Sequence, residues 1–155
     1  HNMRGEAIDD YSANLHQLFE FVQEFHPAVK TVGIGDGANE IGMGSIPWEN
    51  LHCRLEGEHA GMIPCRITTD WTIIGGTSNW GGYALATGVA CLKARADLLR
   101  PLDAAQQLRT LEHMVAHGPA VDGVTRRQEA TVDGLPFATY IQPLDGMRKA
   151  LGFPS

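Results

Sequence analysis

The stretch Val32-Gly33-Ile34-Gly35-Asp36-Gly37-Ala38-Asn39-Glu40 gathers side chains able to do chemistry at close spacing. Asp36 and Glu40 are four residues apart, so a turn leading into a helix brings both carboxylates toward one point. Asn39 adds a carbonyl oxygen. Two carboxylates and an amide form a hard-oxygen set suited to Mg2+ or Mn2+ completed by water. The same carboxylates can hold a substrate ammonium. A second reading stays open, in which Asp36 caps the next helix and Glu40 sits in its first turn, both favoured by the helix dipole. Ala38 follows Gly33, Gly35 and Gly37, so the dinucleotide fingerprint GxGxxG is not matched.

Four other residues could join such a site. Asp70 lies within a strand-like run as a base or metal ligand, or as a hydrogen-bonded carboxylate at a turn or bulge. Ser78 and Asn79 stand just before a helical pattern, where free backbone N–H groups attract anions such as a substrate carboxylate. Simple capping explains that pair equally well. Arg4 can clamp a carboxylate through its planar fork, or it is an ordinary surface arginine. Ser45 and Ser78 lack a GxSxG frame. His52 and His59 flank Glu56 and Glu58 without the HExxH spacing, which points to exposed histidines.

The elements that must position these residues follow a helix, strand, turn rhythm, that of an α/β unit. Asp9 or Asp10 can cap a helix running to about Phe25, with Leu15, Leu18, Phe19 and Val22 as its apolar stripe. Pro27 ends it, and Thr31–Ile34 reads as a short buried strand. A carboxylate directly after that strand sits at the carboxyl end of the sheet, where ligands bind in open α/β folds. The region from Ile46 to Pro64 is irregular, and Cys65–Ile74 reads as strand until Gly75-Gly76 breaks it. A helix rich in Gly and Ala is expected from Ser78 to about Leu99, a further one from Asp103, and a last one within Pro136–Leu151. The turns Val121-Asp122-Gly123-Val124 and Val132-Asp133-Gly134-Leu135 read as structural punctuation.

With 155 residues, 43% hydrophobic and 19% charged, the chain has the composition of one globular domain. A formal charge of -6 argues against a nucleic-acid grip, which needs a clustered basic surface. No apolar run approaches the roughly 20 residues that cross a bilayer. Cys53, Cys65 and Cys91 are an odd number without CxxC spacing. They are read as buried thiols in a reducing, cytoplasmic setting.

Gly35-Asp36-Gly37-Ala38-Asn39-Glu40-Ile41-Gly42-Met43-Gly44 resembles a signature of the D-glutamate cyclase-like family. Asn2-Met3-Arg4-Gly5, Ser78-Asn79-Trp80-Gly81-Gly82-Tyr83-Ala84-Leu85, Ala120–Thr125 and Thr131–Pro136 agree with it in the same order. The resemblance implies a mainly parallel sheet flanked by helices, with an N-terminal α/β portion of the domain preceding this stretch. It implies a small-molecule substrate and closure of D-glutamate to 5-oxo-D-proline with loss of water. Asp36, Glu40 and Asp70 are the expected catalytic groups, with Asn39, Ser78, Asn79 and Arg4 binding substrate. A second copy of the chain is a compatible partner. The same acidic turn also resembles the late metal-binding turn of the haloacid-dehalogenase-like phosphatases, although their nucleophilic Asp-x-Asp has no counterpart here. A fragment that only binds ligand or a partner subunit is the third reading.

Overall fold

Val32–Gly35 (β1) and Trp71–Ile74 (β2) lie side by side and parallel, Val32 opposite Trp71 and Gly35 opposite Ile74. This is a computed structural model, and it describes residues 1, 2 and 4–153. Met3 of the Asn2–Gly5 stretch lies outside the described residues. The chain divides into two compact units, His1–Gly81 and Gly82–Ser155.

In the first unit the helix α1 spans His16–Phe25. It begins later than expected because Tyr11 N–H closes a tight turn on Ile8 O, and Leu15 N–H turns back to Ala13 O. Neither Asp9 nor Asp10 caps it. Its apolar stripe is divided: Phe19 and Val22 are half-buried, whereas Leu15 and Leu18 are exposed. Gln23 Nε2 ties α1 down by donating to Thr68 O at 2.7 Å.

The strand expected over Cys65–Ile74 forms only from Trp71 onward. The residues before it run beside the 38–45 loop: Cys65 N–H donates to Ala38 O, while Gly42 and Gly44 N–H both donate to Ile67 O. Their β-branched side chains favour extended backbone, but their pairing goes to irregular chain. The glycines make this approach feasible. A Cβ on Gly33 would meet Gly42 Cα at 2.5 Å, and one on Gly44 would meet Arg66 O.

Ala38, Met43 and Leu51 form the buried cluster of this unit, with Ile46, Leu55 and Cys65 packed against it. Leu51 ends the short helix α2 (Trp48–Leu51), which continues as a 3-10 turn over His52–Arg54. The helix α3 (Ser78–Leu92) starts after β2. A Cβ on Gly81 would stand 2.5 Å from Ile34 Cγ2, so the small residue lets the first turn of α3 lie directly on β1.

In the second unit α3 ends at Leu92, short of Leu99, and Ala94 takes a left-handed φ of 52°. Asp103 caps α4 (Ala104–His117), its carboxylate accepting from Gln106 N–H at 2.7 Å. The hairpin β3 (Thr131–Val132) and β4 (Leu135–Pro136) is antiparallel. It is followed by α5 (Phe137–Tyr140) and α6 (Gln142–Ala150), with Pro143 accommodated in the first turn of α6. Buried Arg148 donates to the carbonyls of Leu99 and Arg100, anchoring α6. The fold is mixed α/β, with one parallel and one antiparallel pair among the described residues, rather than the mainly parallel sheet expected. Cys53 and Cys91 are exposed and Cys65 is half-buried, so the thiols are not the buried set expected.

Candidate functional site

The parallel register puts Asp36 and the Gly75-Gly76 turn together at the carboxyl rim of β1 and β2. No helix follows Asp36. The chain passes through bends to a 3-10 turn at Met43–Ser45, so the helix-capping alternative does not describe this turn. Instead Glu40 folds back over it. Its Oε1 accepts from Gly37 N–H at 2.9 Å and from Asp36 N–H at 3.3 Å. Gly35 must be small for this, since a Cβ there would meet Glu40 Oε2 at 2.8 Å.

Across the rim, Ser78 O–H donates to Asp36 Oδ1 at 2.5 Å. The first helical residue of α3 is thereby fixed to the end of β1. Asp36 is exposed, Ser78 and Glu40 half-buried, and Asn79 exposed beside them. Burial pushes the Glu40 carboxyl above its ordinary value, and the neighbouring Asp36 carboxyl pushes it further. The amides of Glu40, Gly37 and Asp36 pull it partway back.

Glu40 Oε2 and Thr77 Oγ1 are buried polar atoms without a hydrogen-bond partner. The orphaned Oε2 and the influence of Asp36 are consistent, because two ionised carboxylates offer only acceptors to each other. A hydrogen bond between them exists once one of them carries a proton. Unpaired buried polar atoms cost stability. Both of these belong to the loops that leave β1 and β2.

The other expected residues are distributed differently. Asp70 immediately precedes β2, at the amino end of the pair, roughly 13 Å from the Asp36 rim at about 3.3 Å per strand residue. It is occupied there by Lys30 Nζ at 2.8 Å, Thr31 N–H at 2.9 Å and Thr31 O–H at 3.0 Å. The Lys30 contact, followed by the Thr31 donors, holds its carboxyl down to about 2. The structure therefore does not bring Asp70 to the Asp36–Glu40 pair. Asn39 turns its Nδ2 toward His1 O at 3.4 Å, and Arg4 lies in an exposed turn whose amide donates to Asn2 Oδ1. Among the described residues no group of three or more His, Cys, Asp or Glu side chains converges to hold a metal ion.

A cavity of about 380 Å³ opens beside Asp36, floored by Ala38, Met43, Leu51 and Leu55 and bordered by Arg54. A separate groove of about 720 Å³ runs past Asn39 and Glu40, between the chain preceding α1 and the chain around Ile63. Sequence reasoning missed Arg54. It belongs to an irregular segment, where spacing carries no directional signal.

These features define a mixed α/β protein with one pair of carboxylates, Asp36 and Glu40, at the carboxyl rim of its parallel strands. A family model described as D-glutamate cyclase-like, C-terminal, matches residues 1–148. The chain belongs to the D-glutamate cyclase-like family. The human protein D-glutamate cyclase, mitochondrial, is 41% identical over 66 residues, covering 43% of this chain and 10% of that protein. The matched stretch is thus a tenth of that relative's length. Among the described residues no helix is long and apolar enough to cross a membrane.

Proposed function

We propose that this chain supplies the carboxyl-rim part of the active site of a D-glutamate cyclase, a lyase that closes D-glutamate to 5-oxo-D-proline and water. The reading rests on family membership and on one observation, the Asp36–Glu40 carboxyl pair at the rim. The reaction's proton balance explains why such a pair suits it. The substrate enters as an ammonium with two carboxylates, and the lactam leaves with one carboxylate. Nitrogen therefore gives up two protons, and the departing carboxylate oxygen takes both as it leaves as water. No net proton is exchanged with solvent, so the site must relay protons from nitrogen to oxygen.

Asp36, exposed at the cavity, accepts the ammonium and takes a proton from it. Glu40, whose carboxyl is raised by burial and by the neighbouring Asp36, borders the separate groove rather than this cavity, so it exchanges a proton with Asp36, which passes it to the leaving oxygen. Ser78 fixes Asp36 in place, and the amides of Asp36 and Gly37 fix Glu40. Mg2+ or Mn2+ held by Asp36 and Glu40, completed by water and substrate, is the competing use of the same oxygens and would polarise the side-chain carboxylate. The residues favour the proton, because Glu40 Oε1 is already engaged by two amides. Asp70, in its contacts with Lys30 and Thr31, is assigned to holding the amino ends of the strands rather than to the reaction.

The test is incubation of the full-length protein with D- and L-glutamate, followed by chiral chromatography for 5-oxoproline. Lactam is expected from the D-enantiomer. Absence of lactam from D-glutamate would remove the proposal.

A further inference from the structure

Arg54 ends the 3-10 turn that follows α2, and the burial of Leu51 three residues earlier fixes that turn against the Ala38–Met43 cluster. It lines the cavity that Asp36 also lines. No ion pair joins the two, and among the described residues Arg54 forms none with another carboxylate, unlike Lys30 with Asp70 or Arg95 with Asp97. One concavity thus carries opposite charges that do not neutralise each other. The same cavity is lined mostly by apolar residues, Ala38, Met43, Leu51 and Leu55 among them, together with Asn50.

Opposite charges on one mostly apolar cavity match a small amino acid with methylenes between its charged groups. We propose that this cavity takes an α-amino dicarboxylate with its ammonium at Asp36 and its side-chain carboxylate in the fork of Arg54. The inference rests on the cyclase reading and deepens it by naming the residue that selects glutamate among amino acids. The guanidinium is planar and presents paired N–H donors that match a carboxylate's two oxygens. Ring closure then requires the bound chain to curl until the amine meets that carboxylate carbon, whose negative charge the guanidinium offsets. An amino acid of the same chain length ending in a methyl group gains nothing from Arg54. The cavity volume of about 380 Å³ accommodates a five-carbon amino acid with water to spare.

The experiment uses the full-length protein, with calorimetric binding of D-glutamate and of D-norvaline, the isostere that lacks the side-chain carboxylate. Arg54→Gln and Arg54→Lys are compared with the unaltered protein, and thermal melts check the fold. Arg54 is exposed, so both variants are expected to melt as the parent does. In Arg54→Gln, D-glutamate binding should weaken by about 10- to 100-fold, the range for losing a charge-assisted contact. D-norvaline binding should not change, and Arg54→Lys should lie between. Equal D-glutamate affinity in Arg54→Gln overturns the assignment while leaving any cyclase activity standing. Equal weakening for both ligands overturns the side-chain assignment in favour of a grip on the main-chain carboxylate. Arg54-dependent binding of D-glutamate without lactam formation upholds this inference and sinks the reaction. An unaltered protein that does not bind D-glutamate sinks both.

Discussion

The hydroxyl of Ser78 donates to Asp36 Oδ1 at 2.5 Å, joining the start of α3 to the end of β1 across 42 residues of chain. This bond fixes the carboxylate that stands at the cavity mouth. Asp36→Asn keeps the shape and the acceptor for Ser78 but removes the charge that would take the ammonium. Its lactam formation should fall by at least about 100-fold, in keeping with loss of a general base. Ser78→Ala leaves the charge but frees its orientation, so a smaller fall, about 10-fold in kcat, is expected. Steady-state kinetics on the full-length protein checks both. Full activity in Asp36→Asn would remove this carboxylate from the reaction.

Glu40→Gln, read together with chelation, separates a proton-holding role from metal ligation. The amide oxygen of glutamine can still accept from the Asp36 and Gly37 N–H groups, so the melting temperature should stay close to the parent's. Turnover should nevertheless be lost, because an amide cannot relay a proton. Treatment with a chelator should leave the unaltered protein's turnover unchanged, and added Mg2+ or Mn2+ should not raise it. Loss of turnover on chelation, with recovery on adding Mn2+, would instead give the two carboxylates to an ion.

The parts legible in the sequence are those governed by neighbouring residues. Asp103 is readable as a helix start because capping acts over three residues, and its carboxylate meets Gln106 N–H. The Asp36 turn is readable because strand, glycine and carboxylate follow one another directly. Its internal arrangement is not, since Glu40 folds back on the turn rather than entering a helix. Cys65–Asp70 misleads because β-branched residues favour extended chain without specifying a partner, and here the partner is the 38–45 loop. Arg54 is invisible for a related reason. Its place at the cavity depends on a 3-10 turn and on the burial of Leu51, neither of which leaves a periodic trace. Asp70 looks chemical by type, but its position at the amino end of the strands is a property of the register.

Two glycines should respond oppositely to alanine. In Gly33→Ala the new methyl would meet Gly42 Cα at 2.5 Å and Ile41 O at 2.6 Å, both backbone atoms that cannot rotate away. The strand and the loop must separate, and a loss of about 2–3 kcal/mol is expected, as for overpacked cores. Gly82 lies within α3, and a methyl added there would find nothing within 4 Å, so the alanine meets open space. Gly82→Ala should stabilise by about 0.5–1 kcal/mol through the helix preference alone. Urea unfolding of the two variants against the parent gives both numbers.

Asp122 offers a pH-dependent test of the second unit. It is only 7% exposed, and its carboxylate accepts from Val124, Thr125 and Gly134 N–H and from Thr131 O–H. One side chain thereby ties the Ala120–Thr125 turn to the β3–β4 hairpin. Burial alone would raise this carboxyl, but the donors from Gly134, Thr125, Thr131 and Val124 outweigh it and hold the group at about 2, against an ordinary 3.8. A folded-state value below the unfolded one means that the bound form is the carboxylate. Its contribution to stability is complete above about pH 4 and is lost as the pH falls toward 2. Asp122→Ala should cost about 2–4 kcal/mol near neutral pH, because four donors lose a charged acceptor. The gap between parent and variant should narrow as melts are repeated at successively lower pH within that window. A gap that stays constant from neutral pH to pH 2 would show that the four donors do not hold the carboxylate in its ionised form.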